Sequence, residues 1–310
     1  MVTFDKLKLV ASIDAIEVID EDKFQKEVKS GRPVSLRYFQ EVPFLLLVKV
    51  DFLRHEVVVE FCGKVLGKDY PKLISSDTIR TCFDNINALG FFYLDIDAMM
   101  DADVVKADVT KDVRGIDAKQ LNSYIGSHIT NYKMYLCQTF KNGNLVINKN
   151  VTSSKAKKRM TIYDKAKEMD KAKNKDFVEA HHLEHAFDNT SRIELNLNSK
   201  QQVREALHIP DNKLSSVLAS TASPICDFVT KVIEPTSNPV DLSDRKSYIT
   251  MLVLKDCDFD LEKVEAKIRE LYPKKGASYK KLMEPYRSMM AQMKGESTDE
   301  FYQTLLAKLA

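Results

Sequence analysis

The chain has 310 residues, 44% of them hydrophobic, with only nine glycines and nine prolines. That composition excludes collagen-like, linker-dominated and disordered chains and allows one large domain or two. The formal net charge of +2 hides an uneven spread: Lys141–Lys175 holds eleven Lys/Arg against three Asp/Glu, whereas residues 1–110 hold fourteen against nineteen. A basic stretch beside an acidic region fits a nucleic-acid enzyme with a carboxylate metal site, and it also fits an ordinary solvated face. The stretch Met1–Val10 lacks the apolar core of a signal peptide, and the longest apolar run, Val42–Val48, is closed by Lys49 and only strand-sized. The expectation is therefore a protein of the cytoplasm that does not enter a membrane. Five scattered cysteines (Cys62, Cys82, Cys137, Cys226 and Cys257) without a CxxC pair read as reduced thiols.

Along the chain, Val42–Phe52 and Glu56–Phe61 form two β-rich runs joined as a hairpin. Ser75-Ser76-Asp77 marks a helix start, Ile79, Cys82, Phe83, Ile86 and Leu89 follow at helical spacing, and Gly90 supplies a stop. Val104–Val109 reads as a strand. Tyr132–Phe140 and Leu145–Val151 flank Lys141-Asn142-Gly143-Asn144, whose Asn-Gly is a hairpin signal. A strand over Arg159–Tyr163 leads into a helix expected to run from Lys165 to Glu184. Ser191–Leu197 alternates as a further strand. Helices are then predicted over Gln201–Leu207, Leu214–Val232, Leu261–Leu271, Tyr279–Met293 and Thr298–Leu309. Strands first and helices later predict an α+β fold, a mostly antiparallel central sheet flanked by helices with a helical C-terminal region. Pro235-Thr236-Ser237-Asn238-Pro239 is the candidate linker, dividing a region 1–234 from a mainly helical region 240–310.

Chemistry concentrates at Tyr163. On a strand, Met160 and Ile162 point one way and Arg159, Thr161, Tyr163 and Lys165 the other. A phenol among cations suits attack on a phosphodiester, since the cations stabilise the charge that builds on phosphorus; a strand-end tyrosine with a solvated basic flank fits the same residues. Glu60, Asp108 and Glu194 sit on strands otherwise rich in apolar residues, where acidic side chains are depleted. Converging on one face they would hold Mg²⁺ or Mn²⁺; separately they would face water or pair with Lys/Arg. His181-His182-Leu183-Glu184-His185 spells H-x-x-E-H, which on a helix would bring His181 and His185 to one face, but no third zinc ligand is identifiable. There is no Walker A loop and no histidine-hydrophobic-histidine triplet.

Four segments occur in an order that resembles the replication initiation endonucleases of filamentous phages, and is similar to the related rolling-circle initiators of small plasmids. They are Val57–Gly67, Lys106–Thr110, Ile162–Glu168 with its Tyr-x-Lys element, and Ser191–Leu195, within a match spanning roughly residues 40–210. One departure is Lys106-Ala107, where relatives often have arginine and a larger aliphatic residue. The resemblance implies that Tyr163 is the nucleophile, nicking one origin strand and remaining joined to its 5′ phosphate. It implies Glu60, Asp108 and Glu194 as ligands of Mg²⁺ or Mn²⁺, and Lys165 as a phosphate or leaving-group contact. Lys155, Lys157, Lys158, Arg159, Lys167 and Arg192 are the expected DNA contacts, with affinity that falls with salt. The implied partners are single-stranded or hairpin origin DNA and the bacterial host's helicase and polymerase; a homodimer is compatible with the reading. A mobilisation relaxase and a non-catalytic origin-binding regulator are the alternatives.

Overall fold

Alternation of apolar and polar residues builds one large sheet, whose strands are laid out in the computed structural model. It describes residues 1–128, 135–149, 158–233, 242–271, 277–293 and 300–310. In chain order the strands are β1 (Phe4–Ser12), β2 (Ile16–Val18), β3 (Gln25–Lys29), β4 (Arg32–Gln40), β5 (Leu46–Asp51) and β6 (Glu56–Cys62). They continue with β7 (Phe92–Leu94), β8 (Asp103–Arg114), β9 (Tyr135–Thr139), β10 (Leu145–Lys149), β11 (Arg159–Asp164) and β12 (Thr190–Leu197). Ten of them form a sheet in the order β3-β4-β5-β6-β1-β8-β12-β11-β10-β9, and β2 pairs with β7 apart from it. The expected fold class is observed, α+β with antiparallel ladders and helices through the C-terminal region.

The two faces of this sheet differ sharply. Leu7, Leu9, Val57, Val59, Phe61, Ile193 and Leu195 are all fully buried on one face. The amphipathic helix Ile79–Asn87 contributes to the core there, with the Phe83 ring 5.9 Å from that of Phe61. The other face is polar, and its rows follow from register. Lys8 pairs with Glu60 on β6 and with Lys106 on β8. Lys6 pairs with Asp108, Asp108 with Asn196, and Asn196 with Arg159. The next rows are Thr110–Glu194–Thr161 and Asp112–Arg192–Tyr163. A register shift between Phe4 and Lys6 inserts one residue into β1. Phe4 and Leu7 thus both enter the core, and Asp5 and Lys6 both lie on the polar face.

Several segments depart from expectation for local reasons. The strand β1, not predicted from the sequence, lies at the centre of the sheet. Val42–Leu45 precedes rather than joins β5. The helix predicted over Lys165–Glu184 is broken into Lys165–Met169, a 3₁₀ turn at Ala172–Asn174, and Lys175–His181. Asn174 is buried, and its amide donates to the Glu168 carbonyl at 2.7 Å, diverting the backbone from a continuous ladder. Leu214–Val232 is likewise two helices, Leu214–Ala219 and Pro224–Val232, with Pro224 opening the second. A helix at Arg245–Asp256 was not predicted.

Two compact units are present: Met1–Asn122 with Gln138–Ile225, and Ser123–Cys137 with Cys226–Ala310. The second has its own core of Met251, Leu254, Val264, Ile268 and Met283. The candidate linker Pro235–Pro239 lies outside the described residues. No helix among the described residues is long and apolar enough to cross a membrane.

Because Phe61 fills the centre of the buried face, Phe61→Ala is expected to lower the unfolding free energy by about 3–5 kcal/mol. Val28→Ala on the exposed edge strand is expected to change it by less than about 0.5 kcal/mol. Urea titration followed by far-UV circular dichroism checks both.

Candidate active site

Tyr163 is the next-to-last residue of β11, and Asp164 ends the strand by capping the following helix, its carboxylate accepting from the Lys167 amide at 3.0 Å. The phenol is thereby fixed at the strand end, with its hydroxyl donating to Glu194 Oε1 at 2.5 Å. Burial, and after it the Glu194 charge, push the Tyr163 phenol well above its ordinary value. Burial together with the nearby Asp5 charge raises the Glu194 carboxyl to about 7. A phenol in direct contact with a carboxylate of raised proton affinity has the geometry that nucleophile and base require.

Beneath the pair lies a network that sequence reasoning missed in part. Arg192 has no exposed side-chain surface. It donates to Asp112 through Nε and Nη2, both at 2.7 Å, and through Nη1 to Asp5 Oδ1 at 2.7 Å and Tyr70 Oη at 2.8 Å. Tyr70 donates to Asp5 at 2.9 Å and accepts from Lys165 Nζ at 2.8 Å, while Lys165 also donates to Glu168 at 2.9 Å. Tyr70 enters this site from a 3₁₀ segment, Gly63–Lys72, in which Gly67 has φ +57° and a Cβ would lie 2.9 Å from the His181 ring. Glycine is favoured there by the backbone conformation. Asp5, Tyr70 and Asp112 were not among the predicted site residues. The signal for the strand, though not for Asp5, was present in Lys6-Leu7-Lys8-Leu9, whose alternation marks β1.

The predicted carboxylates all lie on the polar face, with different surroundings. Burial would raise Glu60, but hydrogen bonds from Lys6 at 2.7 Å and Lys8 at 3.0 Å outweigh it and hold the carboxyl low. Both Glu60 oxygens are thus occupied. Asp108 accepts from Asn196 Nδ2 at 2.7 Å through Oδ1, and burial with the Asp5 charge keeps it above the ordinary range. Among the described residues no three or more His, Cys, Asp or Glu side chains form a closed metal-binding group. The donor set Asp108, Glu194 and Asp5 is nonetheless all oxygen, and the Asp5 charge raises the proton affinity of both Asp108 and Glu194, the strain that a hard cation relieves. Mg²⁺ commonly takes one or two carboxylates plus substrate phosphates, which these residues fit better than Glu60 does.

The expected DNA contacts divide. Arg159 is exposed and, with Lys6, Lys8 and Lys106, lines a cavity of about 470 Å³ that also contains Asp108 and Asn196. Lys167 is exposed and paired with Asp164 at 3.0 Å. Lys158 is half-buried. Lys155 and Lys157 lie outside the described residues. Arg192 is a correction: fully buried and neutralised by Asp5 and Asp112, it holds the site together and has no surface to offer DNA. Lys165 is also interior, though it lines the cavity in which Tyr163 lies. The H-x-x-E-H segment does not form a helical zinc motif. The helix ends at His181, His182 is left-handed, and His185 pairs with Asp188.

Comparison of the chain with protein-family models, curated proteins and solved structures finds no match.

The raised Glu194 carboxyl has a consequence for stability. Its folded-state value of about 7 against an ordinary 4.5 means that the native protein holds a proton the unfolded chain has lost between those values. Stability of the metal-free protein is therefore expected to fall as pH rises from 4.5 to about 7. The loss is on the order of 3 kcal/mol at 1.36 kcal/mol per pH unit. Urea titrations across this range are expected to show the slope flattened in Glu194→Gln; an unchanged slope would assign it to another group.

Proposed function

We propose that the protein is a DNA-nicking and strand-transfer enzyme that uses Tyr163 as its nucleophile and acts at a replication origin of the rolling-circle type. The observation that carries this reading is the direct Tyr163–Glu194 hydrogen bond on a sheet face whose adjoining cavity is lined by Lys6, Lys8, Lys106 and Arg159. The cations provide phosphate-backbone contacts, and the pair provides the attack.

In the reaction, the Tyr163 oxygen bonds to phosphorus as its proton passes to Glu194 Oε1. The bond from phosphorus to the 3′ oxygen breaks, and that oxygen takes a proton from water to leave as a 3′ hydroxyl. The product is a 5′-phosphotyrosine, which conserves the phosphoester bond, so a later 3′ hydroxyl reverses the step and reseals the strand. Asp108 and Glu194, with Asp5 beside them, are the residues that would hold Mg²⁺ or Mn²⁺. When bound, such an ion supplies polarisation of a phosphoryl oxygen. Lys165, held by Glu168 and Tyr70, keeps positive charge next to the phenol ring, 5.7 Å from its centroid. On this reading the freed 3′ hydroxyl primes a host polymerase, with a host helicase opening the duplex, in a bacterial cytoplasm.

Incubation with a labelled single-stranded origin oligonucleotide and Mn²⁺ is expected to give a denaturation-resistant protein–DNA band. Tyr163→Phe should lose that band while keeping oligonucleotide affinity within about twofold, since the backbone contacts remain. An adduct formed by Tyr163→Phe would remove Tyr163 from the chemistry. Wild-type protein that binds the oligonucleotide without an adduct would instead be an origin-binding regulator.

Metal binding has a separate readout. Mn²⁺ at a hundredfold excess over its dissociation constant is expected to stabilise the protein by about 2.7 kcal/mol and to raise its Tm. Asp108→Asn should abolish that rise and Glu60→Gln should retain it. The reverse pattern, seen by differential scanning fluorimetry, would transfer the ligand role to Glu60.

A further inference from the structure

A second cavity, of about 420 Å³, opens at Tyr163 on the side away from Lys106 and Arg159, and beyond Tyr163 and Lys165 its lining is not explained by the attack itself. Its volume lies in the range of about 300–1,000 Å³ found for small-ligand pockets. Val42, Pro43 and Leu45 form an apolar part of its lining, and Tyr163 and Lys165 contribute beside Lys64 and Lys173.

The charges in this cavity are unevenly compensated. Asp5 is paired with Arg192, and Glu168 with Lys165. The remaining acid, Glu41, is exposed. Lys64 has a different partner, the neutral side-chain oxygen of Asn174 at 2.6 Å. Burial, together with the cations Lys165 and Lys173, lowers the Lys64 ammonium below its ordinary value despite the attraction of Glu168. A half-buried cation hydrogen-bonded to a neutral amide, with a second lysine at the same cavity, gains from an incoming anion. The apolar lining favours a ligand with a flat or greasy part attached to that anion. Val42, 65% exposed, has the surface to receive it.

We propose that this cavity binds one nucleotide of the DNA strand adjoining the scissile phosphate, its phosphate on Lys64 and Lys173 and its base against Val42 and Pro43. The inference rests on the strand-transfer reading for its ligand class. It adds that the strand is held on both sides of Tyr163, on the cation-lined cavity at one side and in this mixed cavity at the other.

Equilibrium dialysis of the full chain against thymidine 3′,5′-bisphosphate, inorganic phosphate and thymidine tests it. The bisphosphate is expected to bind saturably and at least about tenfold more tightly than either fragment, because both parts of the cavity contribute. Lys64→Ala and Lys173→Ala should each weaken it by about tenfold, the scale of one lost charge-assisted contact. Val42→Asp should weaken it too, and Lys29→Ala on the remote edge strand should not. Lys173 is exposed, so its variant remains informative if Lys64→Ala fails to fold. Phosphate binding as tightly as the bisphosphate would reduce the cavity to an anion site and overturn the proposal. Equal weakening by Lys29→Ala, or weakening confined to Lys106→Ala, would overturn it as well. Protein that forms the Tyr163 adduct but fails to bind the bisphosphate would refute the cavity and leave strand transfer standing. Binding without any adduct would sustain the cavity and refute strand transfer.

Discussion

The site depends on one buried cation. The Arg192 guanidinium is removed from water completely, and that is tolerable only because Asp112 receives it bidentately and Asp5 and Tyr70 take its remaining reach. Those partners come from β8, from β1 and from the 3₁₀ segment after β6, so a single side chain ties together elements that the backbone ladders join only in pairs. Tyr163 is its cross-strand neighbour, and Lys165 reaches the same Tyr70 oxygen. Loss of the guanidinium would leave two carboxylates facing each other beneath the phenol. The position of Tyr163 is thus set by electrostatic neutrality below it as much as by the strand that carries it.

Above this anchor, the polar face works against ionisation. Burial disfavours charge on both Tyr163 and Glu194, and raises the proton affinity of each. Glu60 represents the opposite arrangement, a carboxylate saturated by Lys6 and Lys8, whose charge is already spent.

Much of this arrangement could be read from residue order. The period-two alternation of β6, β11 and β12 is strong because one face is wholly apolar, and it places Glu60, Tyr163 and Glu194 on the opposite face without any coordinates. The Asn142-Gly143 turn likewise announced its hairpin, with Gly143 at φ +86°. What could not be read depends on non-local contacts. The burial of Arg192 follows from acids 80 and 187 residues away in sequence, so on its own strand it looked like one more surface cation. The helix after Tyr163 breaks because Asn174 is drawn inward by Lys64, a contact 110 residues long. Asp5 escaped notice because a one-residue bulge places it beside Lys6 on the same face, against the simple alternation of the strand.

The central position of β1 has a consequence for the order in which the protein can become competent. Tyr163 emerges from the ribosome before Glu194, and β8 is flanked by the chain's first long strand and by the last strand of the sheet, β12. The sheet therefore closes through contacts of wide sequence separation, which form late. A nascent chain that has not yet released Leu197 carries Tyr163 without Glu194, its hydrogen-bond partner, and without the Arg192 guanidinium that anchors the floor. The polar face is thereby completed only when synthesis of the sheet is finished.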